Sequence, residues 1–292
     1  MPRSLFKFLL GILFFLGISH LTSSCLQFRM SSSEAEIFFK EQTFQPVIKS
    51  YKIDDRTINY AQVGRDSLPT VIFLHGSPGG WGAFAGFMRN DQLLQQVYMV
   101  SVDRPGYGYS NYGDPIPDLQ NQCQLLKPIL EETKHTPNIL VGHSLGAPIA
   151  ARLAMDYPDL VQGIILVAPS IDPALERGEW YRYLARGPLA KMLLPGSFWS
   201  TNEEIFSLRE ELEKMLPLWS KISVPVIVIQ GEDDALVPKE NAYFAQRMVN
   251  PNLLRLQLEP DVNHFIPWNQ PHLINQAILD LVKNQPQAIS GY

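Results

Sequence analysis

The chain has 292 residues, of which 46% are hydrophobic and 18% are charged, a composition typical of a folded globular protein and not of a disordered chain. Its formal net charge of -5 argues against a nucleic-acid partner, because binding phosphates requires a basic surface. The length allows one large domain or two small ones.

Residues 1–25 have the character of an export segment. Arg3 and Lys7 precede an apolar stretch at 8–18, and small polar residues then lead to Cys25. The apolar stretch is shorter than the about 20 residues that a membrane-spanning helix needs, and its order is that of a secretory signal. Small residues directly before a cysteine also resemble the lipidation site of bacterial lipoproteins. We expect a lipoprotein at the membrane of the cell envelope, with a secreted or periplasmic protein and an uncleaved anchor as alternatives.

The next segments lead into the folded domain. Residues 26–50 include three successive serines at 31–33 and are predicted to form a tether. Two segments then flank the aspartates at 54–55, and the second segment alternates apolar and polar side chains, which predicts a β-hairpin.

Short, nearly continuous runs of valine, isoleucine and leucine follow, as expected for strands that are covered on both faces. Helical patterns alternate with these runs, which predicts an α/β fold with a doubly wound, mostly parallel sheet. The core domain is predicted to comprise residues 51–170 and 223–292. Its predicted strands are 71–74, 97–102, 138–141, 164–167, 226–229 and 253–258, and its predicted helices are 120–132, 145–155, 240–248 and 272–282.

Residues 171–222, here called the inserted segment, interrupt this alternation. No strand pattern occurs in it, yet it holds Trp180, Trp199 and Trp219, three of the five tryptophans. An apolar, helical insertion between two strands predicts a lid over a binding site. The alternative is an ordinary pair of helices packed on the sheet.

The sequence "GHSLG" places Ser144 between a predicted strand and a predicted helix. A sharp turn at this point strains the backbone of the serine, and glycines at 142 and 146 remove side chains that would collide. The turn presents the hydroxyl at the carboxyl edge of the sheet, where open α/β folds bind ligands. Ser144 is therefore predicted to be a nucleophile.

A serine hydroxyl needs a base, and the base needs a carboxylate to orient it. His264 lies in a loop after the last apolar strand and before the final helix, so it can return to the edge that carries the serine. Glu232, Asp233 and Asp234 directly follow a strand, and the order serine, acid, histidine is that of the α/β-hydrolase triad.

Four motifs resemble those of the α/β-hydrolase superfamily over residues 58–282: "HGSPGG", "DRPGYGYS", "GHSLG", and "GEDDALVP" ahead of "NHF". The family pattern G-x-x-D before Val-Pro implies that Asp234 is the acid, with Asp172 as the second candidate. The resemblance of "HGS" to the family's oxyanion loop implies that the N–H groups of Ser77 and Leu145 hold a developing oxyanion. In "DRPGYGYS" we expect a structural turn with an Asp-Arg pair.

These features predict a serine hydrolase that acts by acyl transfer on an ester or related carbonyl of a small, apolar substrate. The roles expected are nucleophile for Ser144, base for His264 and acid for Asp234. The resemblance excludes epoxide hydrolases and haloalkane dehalogenases, which have an aspartate at the elbow. A carbon–carbon bond hydrolase, an aminopeptidase-like member and a non-catalytic binding member remain alternatives. No metal or cofactor is expected, because the histidines lack ligand spacing and no nucleotide-binding motif is present.

Overall fold

An eight-stranded sheet forms the centre of the molecule. The structure is a computed structural model that describes residues 28–176, 183 and 185–283, so the predicted export segment and Cys25 lie outside the described residues. The spatial strand order is β1-β2-β4-β3-β5-β6-β7-β8. The strands are β1 Val47–Ile53, β2 Arg56–Val63, β3 Thr70–Leu74, β4 Tyr98–Val102, β5 Asn138–His143, β6 Gly163–Val167, β7 Val226–Gly231 and β8 Leu254–Glu259.

Strands β1 and β2 form the predicted antiparallel hairpin, and β2 also runs antiparallel to β4. The other six strands are mutually parallel. Every residue of β3, β5, β6 and β7 is buried, because helices cover both faces of the sheet. Ile72 and Leu74 of β3 enter one hydrophobic core, whereas Val71 and Phe73 enter the other. The predicted doubly wound α/β fold is confirmed.

The described helices are α1 Ser32–Phe39, α2 Ala85–Met88, α3 Asp91–Leu94, α4 Leu119–Glu132, α5 Gly146–Asp156, α6 Pro188–Leu193, α7 Gly196–Met215, α8 Glu240–Met248, α9 Ile266–Asn269 and α10 Pro271–Lys283; 3₁₀ turns occur at Trp81–Phe84, Pro158–Leu160 and Leu216–Lys221. Helices α4, α5, α7 and α8 contribute to one core, and α1, α2, α3, α9 and α10 contribute to the other. None of the helices in the described ranges is long and apolar enough to cross a membrane.

The part of the predicted tether that the structure describes is folded. Ser31 and Glu34 form a capping box, in which Ser31 Oγ accepts from Glu34 N at 3.2 Å and Glu34 Oε2 accepts from Ser31 N at 2.8 Å. Ala35 and Phe39 of α1 are buried in one core. The serines that suggested a flexible linker instead start a helix, so over residues 28–50 the structure differs from the expected tether.

The inserted segment is helical where it is described, but only part of it lies near the carboxyl edge of the sheet. Leu212 and Met215, in the last turns of α7, are buried in the core. Trp219 is also buried and packs edge-on against Phe244, with ring centroids 5.4 Å apart. Trp180 lies outside the described residues. At least one of the three tryptophans, Trp219, therefore packs in the core and does not cover a binding site.

Replacement of Phe39 by alanine tests whether α1 is part of the fold. Phe39 is 0% exposed and Ile37, on the same helix, is 76% exposed. We expect Phe39→Ala to lower the free energy of unfolding by about 3–5 kcal/mol, because it leaves a cavity in the core. Ile37→Ala is the matched control and should change it by less than about 0.5 kcal/mol. Urea denaturation of both variants measures this, and equal, small effects would show that α1 is not packed in solution.

Candidate active site

Ser144 occupies a strained turn between β5 and α5. Its φ is +54°, a left-handed conformation that a residue with a side chain rarely adopts. A Cβ on Gly142 would lie 2.5 Å from Gly146 O, and a Cβ on Gly146 would collide with Leu74 O and His75 O. Gly146 is thus required by the close approach of α5 to the end of β3. The local sequence does not predict this contact.

His264 and Asp234 meet at the same edge, in the loops after β8 and β7. His264 Nδ1–H donates to Asp234 Oδ2 at 2.7 Å, so Nε2 is the ring nitrogen left to accept a proton. Asp234 Oδ1 accepts from Leu236 N at 2.9 Å and from Val237 N at 2.8 Å. The histidine therefore has a fixed tautomer, and the carboxylate that fixes it is itself fixed by backbone donors.

The environment of Asp234 favours its ionised form. Burial alone would raise the pKa of this carboxyl, whose side chain is 0% exposed. The hydrogen bond with His264 and the N–H groups of Val237 and Leu236 outweigh burial, so the pKa lies below its usual value. Asp234 is thus an anion that can stabilise a protonated His264.

Ser144 and His264 line the same cleft. Within the described part of the chain, no hydrogen bond joins Ser144 Oγ to the His264 ring. Such contacts are often long in unliganded sites and shorten when substrate binds. The three predicted triad residues are therefore brought to one edge of the sheet, with the acid–base contact already formed.

His143, which the sequence did not single out, supports the backbone of His264. Its Nε2–H donates to His264 O at 3.1 Å, and the two ring centroids are 4.8 Å apart. Burial first, and then the proximity of His264, lower the pKa of His143 to about 3. His143 is therefore neutral near pH 7 and holds the loop of the predicted base without competing for its proton.

The two predicted oxyanion donors flank Ser144. Ser77 follows β3 in the loop that begins at His75, and Leu145 directly follows the serine. Neither N–H donates a hydrogen bond to any described residue. Both donors are thus free to bind a negatively charged oxygen in front of Ser144.

The cleft in front of Ser144 has a volume of about 1040 Å³. Part of its wall comes from Phe28, Met30 and Glu34, in a segment that the sequence suggested was only a tether. No local sequence signal connects that segment to the site. Its large apolar wall residues are Phe28, Met30, Phe198, Leu236, Phe265 and Trp268.

The expected pair between Asp103 and Arg104 does not form. Asp103 accepts hydrogen bonds from Trp81 N at 2.7 Å, Tyr109 N at 2.9 Å and Asn59 Nδ2 at 2.8 Å. Burial raises the pKa of Asp103 to about 6, against the opposing effect of these donors. Asp103 therefore has a structural role in its own turn, as expected. The side chain of Arg104 contacts the inserted segment instead.

Asp172, the second candidate for the acid, is occupied elsewhere. Its Oδ1 accepts from Ala174 N at 2.9 Å and its Oδ2 accepts from Arg247 Nη2 at 3.2 Å. It makes no contact with His264 among the hydrogen bonds of the described chain. The described part of the chain contains no group of three histidine, cysteine or carboxylate side chains that could hold a metal ion.

Comparison with known proteins agrees with this architecture. A family model for the alpha/beta hydrolase fold matches residues 69–192, which include Ser144 but neither Asp234 nor His264. Epoxide hydrolase 4 of Mus musculus is 21% identical over 277 residues, which cover 78% of this chain and 76% of that protein.

Two solved structures extend the similarity. A bacterial membrane phospholipase A, described as a virulence factor, has a TM-score of 0.65 at 18% identity and covers 97% of this chain and 100% of its own. A putative lipase from Acinetobacter baumannii AYE has a TM-score of 0.66 at 20% identity, with 88% and 98% covered. The strand order, the matching family model and these structures together show that the chain has the α/β-hydrolase fold.

Proposed function

We propose that this protein is a serine hydrolase that cleaves carboxylic esters with apolar acyl groups by acyl transfer. The observation that carries the proposal is the single cleft that holds a strained Ser144 beside a His264 already bonded to Asp234. Ser77 lines the same cleft, Leu145 directly follows the serine, and the N–H group of neither residue donates to another described residue. Several similar proteins are hydrolases, which supports hydrolase activity.

In the first half of the reaction, His264 Nε2 takes the hydroxyl proton while Ser144 Oγ attacks the ester carbonyl carbon. The carbonyl oxygen becomes negative and accepts hydrogen bonds from the N–H groups of Ser77 and Leu145. Asp234 stabilises the protonated ring. The bond to the alcohol oxygen then breaks, and the alcohol leaves with the proton from Nε2, so that an acyl-serine remains.

In the second half, water replaces the alcohol. His264 Nε2 removes one proton from the water as its oxygen attacks the acyl carbon, and the same two N–H groups hold the oxyanion. The bond to Ser144 Oγ breaks, and the proton on Nε2 returns to that oxygen. The carboxylic acid product leaves and the free enzyme is restored.

The walls of the cleft favour an apolar acyl group. Aromatic and aliphatic side chains form most of its large wall residues, and ligand sites of this type take apolar groups. The structurally similar proteins include a phospholipase and a putative lipase, which supports a lipid-like ester as the substrate. The serine at position 144 argues against epoxide hydrolysis, since the epoxide hydrolases of this superfamily use an aspartate there.

We further propose that the mature chain is held at the membrane of the cell envelope, through a lipid on Cys25 or an uncleaved anchor. The basic, apolar and small-residue order of residues 1–25 supports this. Phe28, a wall residue of the cleft, is three positions after Cys25, and three extended residues span at most about 11 Å. An attachment at Cys25 would therefore hold the cleft close to the membrane surface.

A fluorophosphonate probe tests the nucleophile. We expect the wild-type protein to be labelled and to hydrolyse p-nitrophenyl esters, because the activated Ser144 hydroxyl attacks both kinds of compound. Ser144→Ala should abolish labelling and reduce esterase turnover by about 10⁶-fold, to the background rate. Labelling at another residue, or none at all in folded wild-type protein, would refute the proposed function.

The choice of acid is tested by two matched amide variants. Asp234→Asn should lower kcat by about 10⁴-fold, because an amide holds the histidine in the wrong tautomer. Among the described residues, the Asp172 carboxylate bonds to Ala174 and Arg247 and not to His264, so with Asp172→Asn kcat per folded molecule should change by less than about threefold. Kinetics with active-site titration measure both, and the reverse order of effects would disprove the assignment.

Acyl-chain selectivity is expected to depend on Phe198. Its side chain lines the cleft, whereas the neighbouring Trp199 faces Lys191, with Nζ 5.6 Å from the ring centroid. Phe198→Ala should change the ratio of kcat/KM between long and short acyl esters by about tenfold or more, while Trp199→Ala should leave it unchanged. A panel of esters from two to sixteen carbons, about the range of common lipases, gives both ratios. A larger effect from Trp199 would mean that another face of α7 covers the cleft.

Mass spectrometry of the N-terminus in the native host tests the attachment. We expect the mature chain to begin at Cys25. The mass of its N-terminal peptide should exceed that of the unmodified peptide by the mass of the attached lipid. An unmodified Cys25 would rule out lipidation, and an intact Met1 would rule out cleavage as well.

A further inference from the structure

Glu204, on the inserted segment, is buried at the centre of a dense hydrogen-bond network. Its side chain is 5% exposed, and its two oxygens accept from four other residues. Oε1 accepts from Arg104 Nη1 at 2.7 Å and Gln122 Nε2 at 3.1 Å. Oε2 accepts from Arg104 Nη2 at 3.0 Å, Ser77 Oγ at 2.7 Å and Tyr107 OH at 2.7 Å. One carboxylate thus satisfies donors from three separate parts of the chain.

Arg104 connects this carboxylate to the oxyanion loop. Its Nε–H donates to His75 O at 2.8 Å, its Nη2 reaches Gly76 O at 3.5 Å, and the same nitrogen donates to Ser77 Oγ. Three successive residues of the loop are therefore held by one guanidinium. Arg104 is 0% exposed, and a buried cation of this kind requires an anion beside it, which Glu204 supplies.

The chemistry of position 204 leaves little room for substitution. Both carboxylate oxygens face donors only, so the NH₂ of a glutamine would point at a donor whichever way the amide is turned. An aspartate is one methylene shorter, so its oxygens would not reach the same partners. The ion pair is bidentate, which fixes the plane of the guanidinium as well as its position.

We infer that Glu204 is a positioning residue for the oxyanion hole: through Arg104 and the Ser77 hydroxyl it fixes the loop that carries the Ser77 N–H. This inference rests on the proposed function. An oxyanion donor stabilises the transition state only when it is in place beforehand, and a displacement of about 1 Å can cost 100-fold in rate. The inserted segment therefore completes the oxyanion hole, in addition to forming part of the cleft wall.

The matched test compares Glu204→Gln with Glu203→Gln. Glu203 is the preceding residue of α7, and its Oε1 accepts from Nε of the half-exposed Arg186 at 2.9 Å. Both variants remove one negative charge from the same helix turn. Prolonged labelling with the fluorophosphonate counts the active sites of each variant, and kcat is then expressed per labelled site, so a loss of folded protein does not enter the rate.

We expect Glu204→Gln to lower kcat per labelled site by about 10- to 100-fold, less than the about 100- to 1,000-fold loss for removal of a whole donor. KM should change by less than about threefold, since ground-state binding is untouched. An alkyl trifluoromethyl ketone forms an oxyanion with the serine, so its inhibition constant should rise in proportion to the loss in kcat. Glu203→Gln should match the wild type in all three quantities.

Ser77→Ala provides the second variant if Glu204→Gln does not fold. It removes the hydroxyl that links Glu204 to the loop but keeps the backbone N–H and the Arg104–Glu204 pair. We expect a several-fold weaker affinity for the trifluoromethyl ketone, about 3- to 10-fold, with near-normal stability.

The inference is overturned if folded Glu204→Gln or Ser77→Ala binds the ketone as the wild type does. It is also overturned if the loss appears in KM alone, or if Glu203→Gln has the same effect as Glu204→Gln. Wild-type protein that is neither labelled nor active would refute the proposed function itself, and the inference with it. Measurements on the wild-type protein thus distinguish a failure of the inference from a failure of the proposed function.

Discussion

The left-handed backbone of Ser144 depends on the close contact between α5 and the end of β3. Any side chain at Gly146 would collide with Leu74 O and His75 O, so the helix starts directly against the neighbouring strand. This contact places the loop that carries Ser77 beside the serine, without an intervening element. A residue in this conformation costs about 1–3 kcal/mol, and the packing of the buried parallel strands on either side offsets that cost. The sheet core therefore places the Ser144 hydroxyl next to the loop that carries Ser77.

Two buried aspartates at the same sheet edge differ because their partners differ. Burial raises the pKa of Asp103 to about 6, although the hydrogen bonds that it accepts from backbone N–H groups and an amide, and the positive charge of Arg29, lower the pKa. Burial acts on Asp234 in the same direction, but the hydrogen bond from His264 reverses the result and lowers its pKa. Asp234 is hydrogen-bonded to a histidine ring that can take up a positive charge, whereas the hydrogen-bond donors of Asp103 are neutral. The histidine partner therefore distinguishes the proposed acid of the triad from the structural carboxylate.

The parts of this site that could be predicted from the sequence are those encoded over short distances. Two glycines within two residues of Ser144 predict the nucleophile, and the position of His264 after a strand predicts the base. Asp234 is selected among three neighbouring acidic residues only by the resemblance to the family motif. Glu204 could not be found in this way, because its partners Ser77 and Arg104 lie 127 and 100 residues earlier in the chain. Its helix carries several other glutamates, and nothing in their local spacing marks one as buried. The six parallel strands, by contrast, are predicted from short, nearly continuous runs of valine, isoleucine and leucine, because both faces of these strands are covered.

The apolar mouth of the cleft is assembled from segments that are distant in the chain. Phe28, Phe265 and Trp268 are 44%, 49% and 51% exposed, and a cluster of half-exposed aromatic side chains usually marks a binding surface. A short ester would contact the sheet edge and leave these rings in water. A long acyl chain would cover them, at about 0.8 kcal/mol for each buried CH₂ group. Under the proposed function, the ester group is therefore recognised at the sheet edge and the chain at the mouth, so affinity and reactivity depend on different residues.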